Sequence, residues 1–252
     1  MRLSKLVCAS IIASSSTFAL MTPVAANAAM SGSIGVHSKY LLRGIAEENT
    51  GAAVQGSIDY SNDSGFYLGW WGSSLSYVST DDDDEELYTS RGFENDFYGG
   101  FSGEAGSISY NIGFIQYYYL SVDDSDLTEL VLGAGYGPIG IQAQYLLNDG
   151  AWGNAGDIYW TVNYSTDLPK DFALDVSLGY YTYNDDDEGN DDRTWGETTE
   201  DNGFRHLNLT LSHPIADTGA DMSITYVVAG NDRVDTDYDD TMVLSVTWGF
   251  DI

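Results

Sequence analysis

Beyond residue 28 the chain alternates: every second position in segments of about ten residues is Tyr, Phe, Trp, Val, Ile, Leu or Met, with Ser, Thr, Asn, Gly or Asp between. A period of two marks a strand with unlike faces. Ile34, Val36, Tyr40 and Leu42 alternate with Gly35, His37, Lys39 and Arg43. Ile108, Tyr110, Ile112 and Phe114 oppose Ser107, Ser109, Asn111 and Gly113. Ile158, Trp160, Val162 and Tyr164 have Asp157, Thr161, Asn163 and Ser165 between them, and Met242, Leu244, Val246, Trp248 and Phe250 close the chain opposite Thr241, Ser245 and Thr247. The pattern predicts twelve strands, helical periodicity is scarce, and no later run of apolar residues is long enough for a transmembrane helix.

The connections between these segments alternate in length. Long ones at 43–50, 79–92, 119–126, 148–157, 184–203 and 230–240 take turns with short ones at 61–64, 103–106, 137–138, 168–171 and 213–219. An even number of strands with short turns at one end and long loops at the other is the layout of an outer-membrane barrel. A soluble sandwich has no reason to gather every long loop at one end. The expected fold is therefore all-β, a single antiparallel transmembrane β-barrel of about 12 strands. Tyr40, Trp70, Trp160, Trp248 and Phe250 suit aromatic girdles at its two membrane interfaces. Closure satisfies the backbone without a dense aliphatic interior, so the lumen can be polar.

Residues 1–28 read as a cleaved signal peptide: Arg2 and Lys5 precede an apolar run, and Ala26-Asn27-Ala28 forms an A-x-A cleavage signal. The barrel domain is then 29–252. The only cysteine, Cys8, falls in the leader, which removes thiols and disulfides from the exported protein.

Charge sharpens this picture. The chain carries 39 Asp+Glu against 9 Lys+Arg, a net charge of −30, which becomes −32 without the two basic residues of the leader. Its 19 Tyr, 9 Phe and 6 Trp exclude the disorder that such acidity would otherwise suggest. The charge also argues against a nucleic-acid partner. Of the 39 acidic residues, 26 fall in the six long loops when the boundary residue Asp157 is counted with its strand, so acidity belongs to one rim. Asp81, Asp82, Asp83, Asp84, Glu85 and Glu86, with Asp185, Asp186, Asp187 and Glu188, are the expected external rim. A solvated surface is its first reading and weak divalent-cation binding its second. A calcium loop starting at Asn184 fails because its twelfth position is Trp195.

Alternation turns Gln55, Asp59, Glu94, Asp96, Glu129, Asp175 and Asp221 inward, with His37, Lys39 and Arg43 on the first strand. In one reading Lys39 and Arg43 form a constriction opposite carboxylates in a cation-favouring lumen. In the other, the same charges pair up and plug a narrow barrel. Arg43-Gly44 also reads as a strand-end turn. No cofactor, metal site or catalytic set is expected: His37, His206 and His213 are scattered, and the G-x-G-x-x-G match at 135–140 spans a hairpin proline instead of opening a helix.

Three stretches carry a family likeness. Tyr40-Leu41-Leu42-Arg43-Gly44-Ile45, Ala53-Val54-Gln55-Gly56-Ser57-Ile58-Asp59-Tyr60 and Ser64-Gly65-Phe66-Tyr67-Leu68-Gly69-Trp70 resemble the TorF-type porin family of proteobacterial outer membranes. Glu94-Asn95-Asp96-Phe97-Tyr98-Gly99-Gly100 and Tyr117-Tyr118-Tyr119 fit the same family. The resemblance implies an outer-membrane barrel and leaves its solute open. Two features depart from it: the chain ends Asp251-Ile252 after Phe250 and not on an aromatic residue, and its acid runs are long. The expected function is passive diffusion of small hydrophilic solutes, cations favoured, through the outer membrane of a Gram-negative bacterium. The alternative is a closed structural or surface-interaction barrel whose acidic loops bind cations. Expected partners are outer-membrane lipid and lipopolysaccharide, the barrel-assembly machinery, and the solutes or cations themselves, with oligomeric state open.

Overall fold

The computed structural model describes residues 29–46, 51–80, 86–120, 126–150, 153–184 and 198–252. The expected signal peptide, Asp81 to Glu85 and Asp185 to Glu188 lie outside these residues. Twelve strands follow in chain order: β1 Ala29–His37, β2 Ala53–Ser61, β3 Phe66–Thr80, β4 Glu86–Ala105, β5 Ile108–Leu120, β6 Leu127–Tyr136, β7 Ile139–Leu146, β8 Ile158–Asp167, β9 Ala173–Thr182, β10 Asn202–Pro214, β11 Ala220–Ala229 and β12 Thr241–Asp251. Each pairs antiparallel with the next, and β1 closes on β12 with Gly32 opposite Phe250 and Val36 opposite Val246. Closure leaves no unpaired edge, which a chain in hydrocarbon requires.

The alternation becomes an outside and an inside. Ile34, Val36, Ile112, Phe114, Leu132, Ile141, Leu244 and Val246 are each between 45% and 57% exposed on the outer wall. A continuous apolar belt of that kind is a lipid-facing surface. Trp70, Trp160 and Trp248 stand on the same face, Trp248 against Phe250 at 5.1 Å between ring centroids. Four of the five short turns place a glycine at positive φ, namely Gly65, Gly106, Gly137 and Gly219. The remaining one, between β8 and β9, uses Lys170 and Asp171 in the same left-handed region.

Three expectations change. The predicted 79–92 loop is mostly strand, because β3 and β4 stay paired from Phe66 opposite Phe101 to Thr80 opposite Glu86. Glu86 therefore opens a strand. β1 ends at His37, so Lys39 and Arg43 are not on a wall strand. Past Ser38, whose amide still bonds the Leu244 carbonyl, the chain leaves the wall and bends inward. Tyr40, read as an interface aromatic, is instead 3% exposed inside the barrel. Alternation cannot detect that departure, because an inward-folded segment also needs apolar residues.

The interior is polar, as expected, but it also holds apolar clusters. Trp71, Leu75, Ile115, Leu127, Val131 and Leu146 form a buried cluster with Tyr40, Tyr117 and Tyr119, while Leu41 joins Val227 and Val243 in a second. Both clusters contain a residue from the inward segment, which therefore packs against two parts of the wall.

Candidate functional site in the barrel lumen

The inward segment ends in a two-residue turn. Leu42 and Ile45 exchange backbone hydrogen bonds of 2.8 and 2.9 Å, while Arg43 and Gly44 between them have φ of 49° and 84°. Positive φ at both central positions is the tight hairpin geometry that favours a glycine at the second. Gly44 is needed for packing as well, since a Cβ there would overlap the His206 side chain on β10. The turn thus carries Arg43 to the opposite wall.

Arg43 Nη2 lies 2.6 and 2.7 Å from the two carboxylate oxygens of Glu129 on β6. Arg43 also donates to the hydroxyls of Tyr181 and Tyr117, the latter at 3.3 Å, and its guanidinium carbon stands 4.4 Å from the centroid of the Tyr159 ring. Glu129 accepts further from Tyr117 Oη at 2.9 Å and Gln144 Nε2 at 3.2 Å. The two charged side chains are 10% and 3% exposed. A buried ion pair offsets its desolvation only when the remaining donors and acceptors are also used, and here the carboxylate is surrounded by donors. Arginine, charged at any physiological pH, suits such a site. Nearer β1, Tyr40 and Tyr119 both donate to Glu94 on β4, Tyr119 at 2.9 Å. The segment therefore spans the lumen, hydrogen-bonded to β4 through Tyr40 and to β6 through Arg43.

The remaining predicted residues are spread along the lumen. Lys39 donates to the Thr241 hydroxyl at 2.6 Å, apart from the Arg43 cluster. Gln55 donates to Ser73 at 3.4 Å, and Asp59 accepts from Tyr98 and, at 2.8 Å, from Ser57. Asp96, buried beside Glu94 on the same strand, has one carboxylate oxygen, Oδ1, with no hydrogen-bond partner. Asp175 accepts from Ser165 at 2.6 Å nearer the short turns, and Asp221 lies on β11 opposite Thr247. Sequence reasoning missed Tyr117, Tyr159 and Tyr181, and gave His206 no part in the site beyond one of three scattered histidines. The signal for them was inward parity: in Tyr117-Tyr118-Tyr119 the outer two are buried and the middle one faces lipid.

The long-loop mouth holds a second set of charges. Arg233 pairs with Asp157, which lies in the loop ahead of β8, and stacks over the Tyr183 ring at 5.0 Å. Arg205 lies between the rings of Tyr181 and Tyr238, at 5.7 and 5.0 Å. Burial, aided by the Asp232 carboxylate it bonds, pushes the Tyr238 phenol up to about 12 against the pull of Arg205. At the start of β12, donation from Tyr226 and the Ala229 amide holds the Asp240 carboxyl below its usual range.

His37 Nδ1 and Ser245 Oγ are 2.8 Å apart, and the pair faces the lumen. Among the described residues no group of three or more His, Cys, Asp or Glu is arranged to hold a metal ion.

A family model described as a bacterial protein of unknown function (Gcw_chp) matches residues 22–250. No curated protein matches the chain. Among solved structures it is similar to a KdgM porin, with a TM-score of 0.53, 10% identity, and 87% of this chain and 99% of that one covered. Outer membrane phospholipase A from Escherichia coli matches with a TM-score of 0.43, 15% identity and coverage of 86% and 91%. The Salmonella typhi outer membrane phospholipase dimer with bound calcium gives 0.42, 13%, 86% and 88%. At such identities the porin likeness speaks for the fold alone, and the two phospholipase scores are too low to add to it.

Proposed function

This chain belongs to Gcw_chp, a family of bacterial proteins of unknown function, and we propose that it is a porin-like channel of the outer membrane for passive diffusion of small hydrophilic solutes. The observation that carries this reading is where the obstruction comes from. Arg43 and Tyr40 are borne by a connecting segment and not by the wall, so what spans the lumen can move without opening the barrel. The segment sets the constriction, and solutes pass as it yields. The carboxylates Asp59, Glu94, Asp96 and Asp175, together with the acid-rich loops, favour cations at the mouth and along the lumen. Outer-membrane lipid, lipopolysaccharide and the barrel-assembly machinery are the partners such a protein needs. The narrower TorF-type affiliation is part of the proposal and rests on segments 40–45, 53–60, 64–70, 94–100 and 117–119.

Planar-bilayer recording tests it. Purified protein should give small, K⁺-favouring conductance steps, and a variant lacking residues 40–45 should give larger ones. Silence from both proteins, or a preference for chloride, would defeat the proposal. A second reading, the closed structural barrel, is favoured by the burial of Tyr40 and Leu41 against two parts of the wall. It predicts a silent wild type and a conducting deletion.

A further inference from the structure

Directly beneath the turn, on the side of the short turns, the wall from β7 to β10 carries a neutral polar patch with unmet hydrogen bonds. Gln142 on β7 lies opposite Thr161 on β8, which is opposite Gly179 on β9, which is opposite His206 on β10. One row closer to the short turns, Ser177 on β9 is opposite Asn208 on β10. Gln142 is 3% exposed, and neither its amide nitrogen nor its amide oxygen has a partner, so reversing the amide would not relieve it. Ser177 Oγ is likewise buried and unpaired, and so is Asn208 Oδ1 apart from its approach to the His206 ring two residues before it. Buried polar groups are ordinarily bonded, and three such side chains on one stretch of wall, Ser177 facing Asn208 across β9 and β10 with Gln142 two strands away on β7, call for an explanation. Gly44 rests on His206 in the same place. Withdrawal of the turn would therefore open the patch from its His206 end.

The chemistry of the patch narrows what it takes. Gln142 Nε2 is a donor, Gln142 Oε1 and Asn208 Oδ1 are acceptors, and the Ser177 hydroxyl is both. A cation would satisfy only the acceptors and an anion only the donors. A ligand whose hydroxyls each donate and accept satisfies both kinds at once. We propose that Gln142, Ser177 and Asn208 form a solute subsite for neutral polyhydroxylated molecules, of the saccharide class, covered by the Arg43-Gly44 turn at rest. The subsite deepens the channel reading and rests on it: the turn competes with the solute for one place, so the element that narrows the pore also selects its cargo.

The test uses full-length protein in liposomes and planar bilayers, with D-glucose as the polyhydroxylated probe, glycine as a small solute without hydroxyl groups on its skeleton, and K⁺ conductance as the common readout. D-glucose should reduce wild-type K⁺ conductance in a saturable way. In Gln142→Ala/Asn208→Ala that block should vanish, and the glucose-to-glycine swelling ratio should fall at least about fivefold, the equivalent of one modest net hydrogen bond. K⁺ conductance steps should still be present without glucose, which shows that the double variant has folded and inserted. Ser177→Ala, a smaller change that keeps both amides, should lower the ratio in the same direction and guards against misfolding of the double variant. An unchanged ratio with K⁺ conductance intact, or equal effects on glucose and glycine, overturns the subsite and leaves the channel reading standing. Absence of K⁺ conductance in both the wild type and the 40–45 deletion overturns the two together.

Discussion

Arg43 reaches Glu129 only because Gly44 lets the chain reverse against His206. Removing one partner of a buried ion pair leaves the other uncompensated, at about 3–5 kcal/mol if nothing moves. Here the charge sits on a connecting segment, so movement is the cheaper response. Arg43→Ala and Glu129→Gln should each raise single-channel conductance, and the double variant should conduct no more than the larger single one. Additive increases would mean that the two residues narrow the lumen independently. The acidic half of this pair was legible in the alternation, which turns Glu129 inward. Its partner was legible only as a charge near the end of the first strand. Which carboxylate it meets depends on curvature that brings β6 within reach of the β1–β2 connection, and no local pattern encodes that distance.

At the level of elements, strand identity follows from period two, while strand ends follow from pairing. β3 and β4 extend past the predicted loop boundary because each continues to find a partner in the other. β1 stops at His37 because the segment beyond it gains more from burying Tyr40 and Leu41 than from continuing the wall. The short turns can be ranked by their surroundings. Gly65 has φ of 86° with the Ser102 carbonyl against its Cα, whereas Gly137, at φ 56°, has open space around it. Gly137→Ala should cost about 1–2 kcal/mol, the price of a left-handed residue bearing a Cβ. Gly65→Ala should cost more, because the β3–β4 contact must also shift. Urea unfolding midpoints in detergent check the order, and equal midpoints would show that the Ser102 contact is easily relaxed.

For the whole molecule, the balance of charge and apolar surface has two measurable consequences. Ile112 is 55% exposed on the lipid face of β5, so Ile112→Arg should destabilise the barrel by about 2–4 kcal/mol in bilayers. An arginine at the lumen-facing Ser109 should cost much less. If acid-rich loops set ion preference, K⁺ selectivity should weaken from 0.1 to 1 M KCl as the screening length falls from about 10 to 3 Å. Selectivity that ignores salt would place its origin at buried groups near Glu94 and Asp96. Alternation and loop lengths alone settle a twelve-stranded antiparallel barrel and its two faces, because the period of a strand is local and the lipid face tolerates almost no charge. Only the closed structure decides what occupies the lumen. Folding Tyr40 and Arg43 inward becomes favourable only when strands distant in sequence supply Glu94, Glu129, Tyr159 and Tyr181 together, and that coincidence exists nowhere along the chain until the wall has closed.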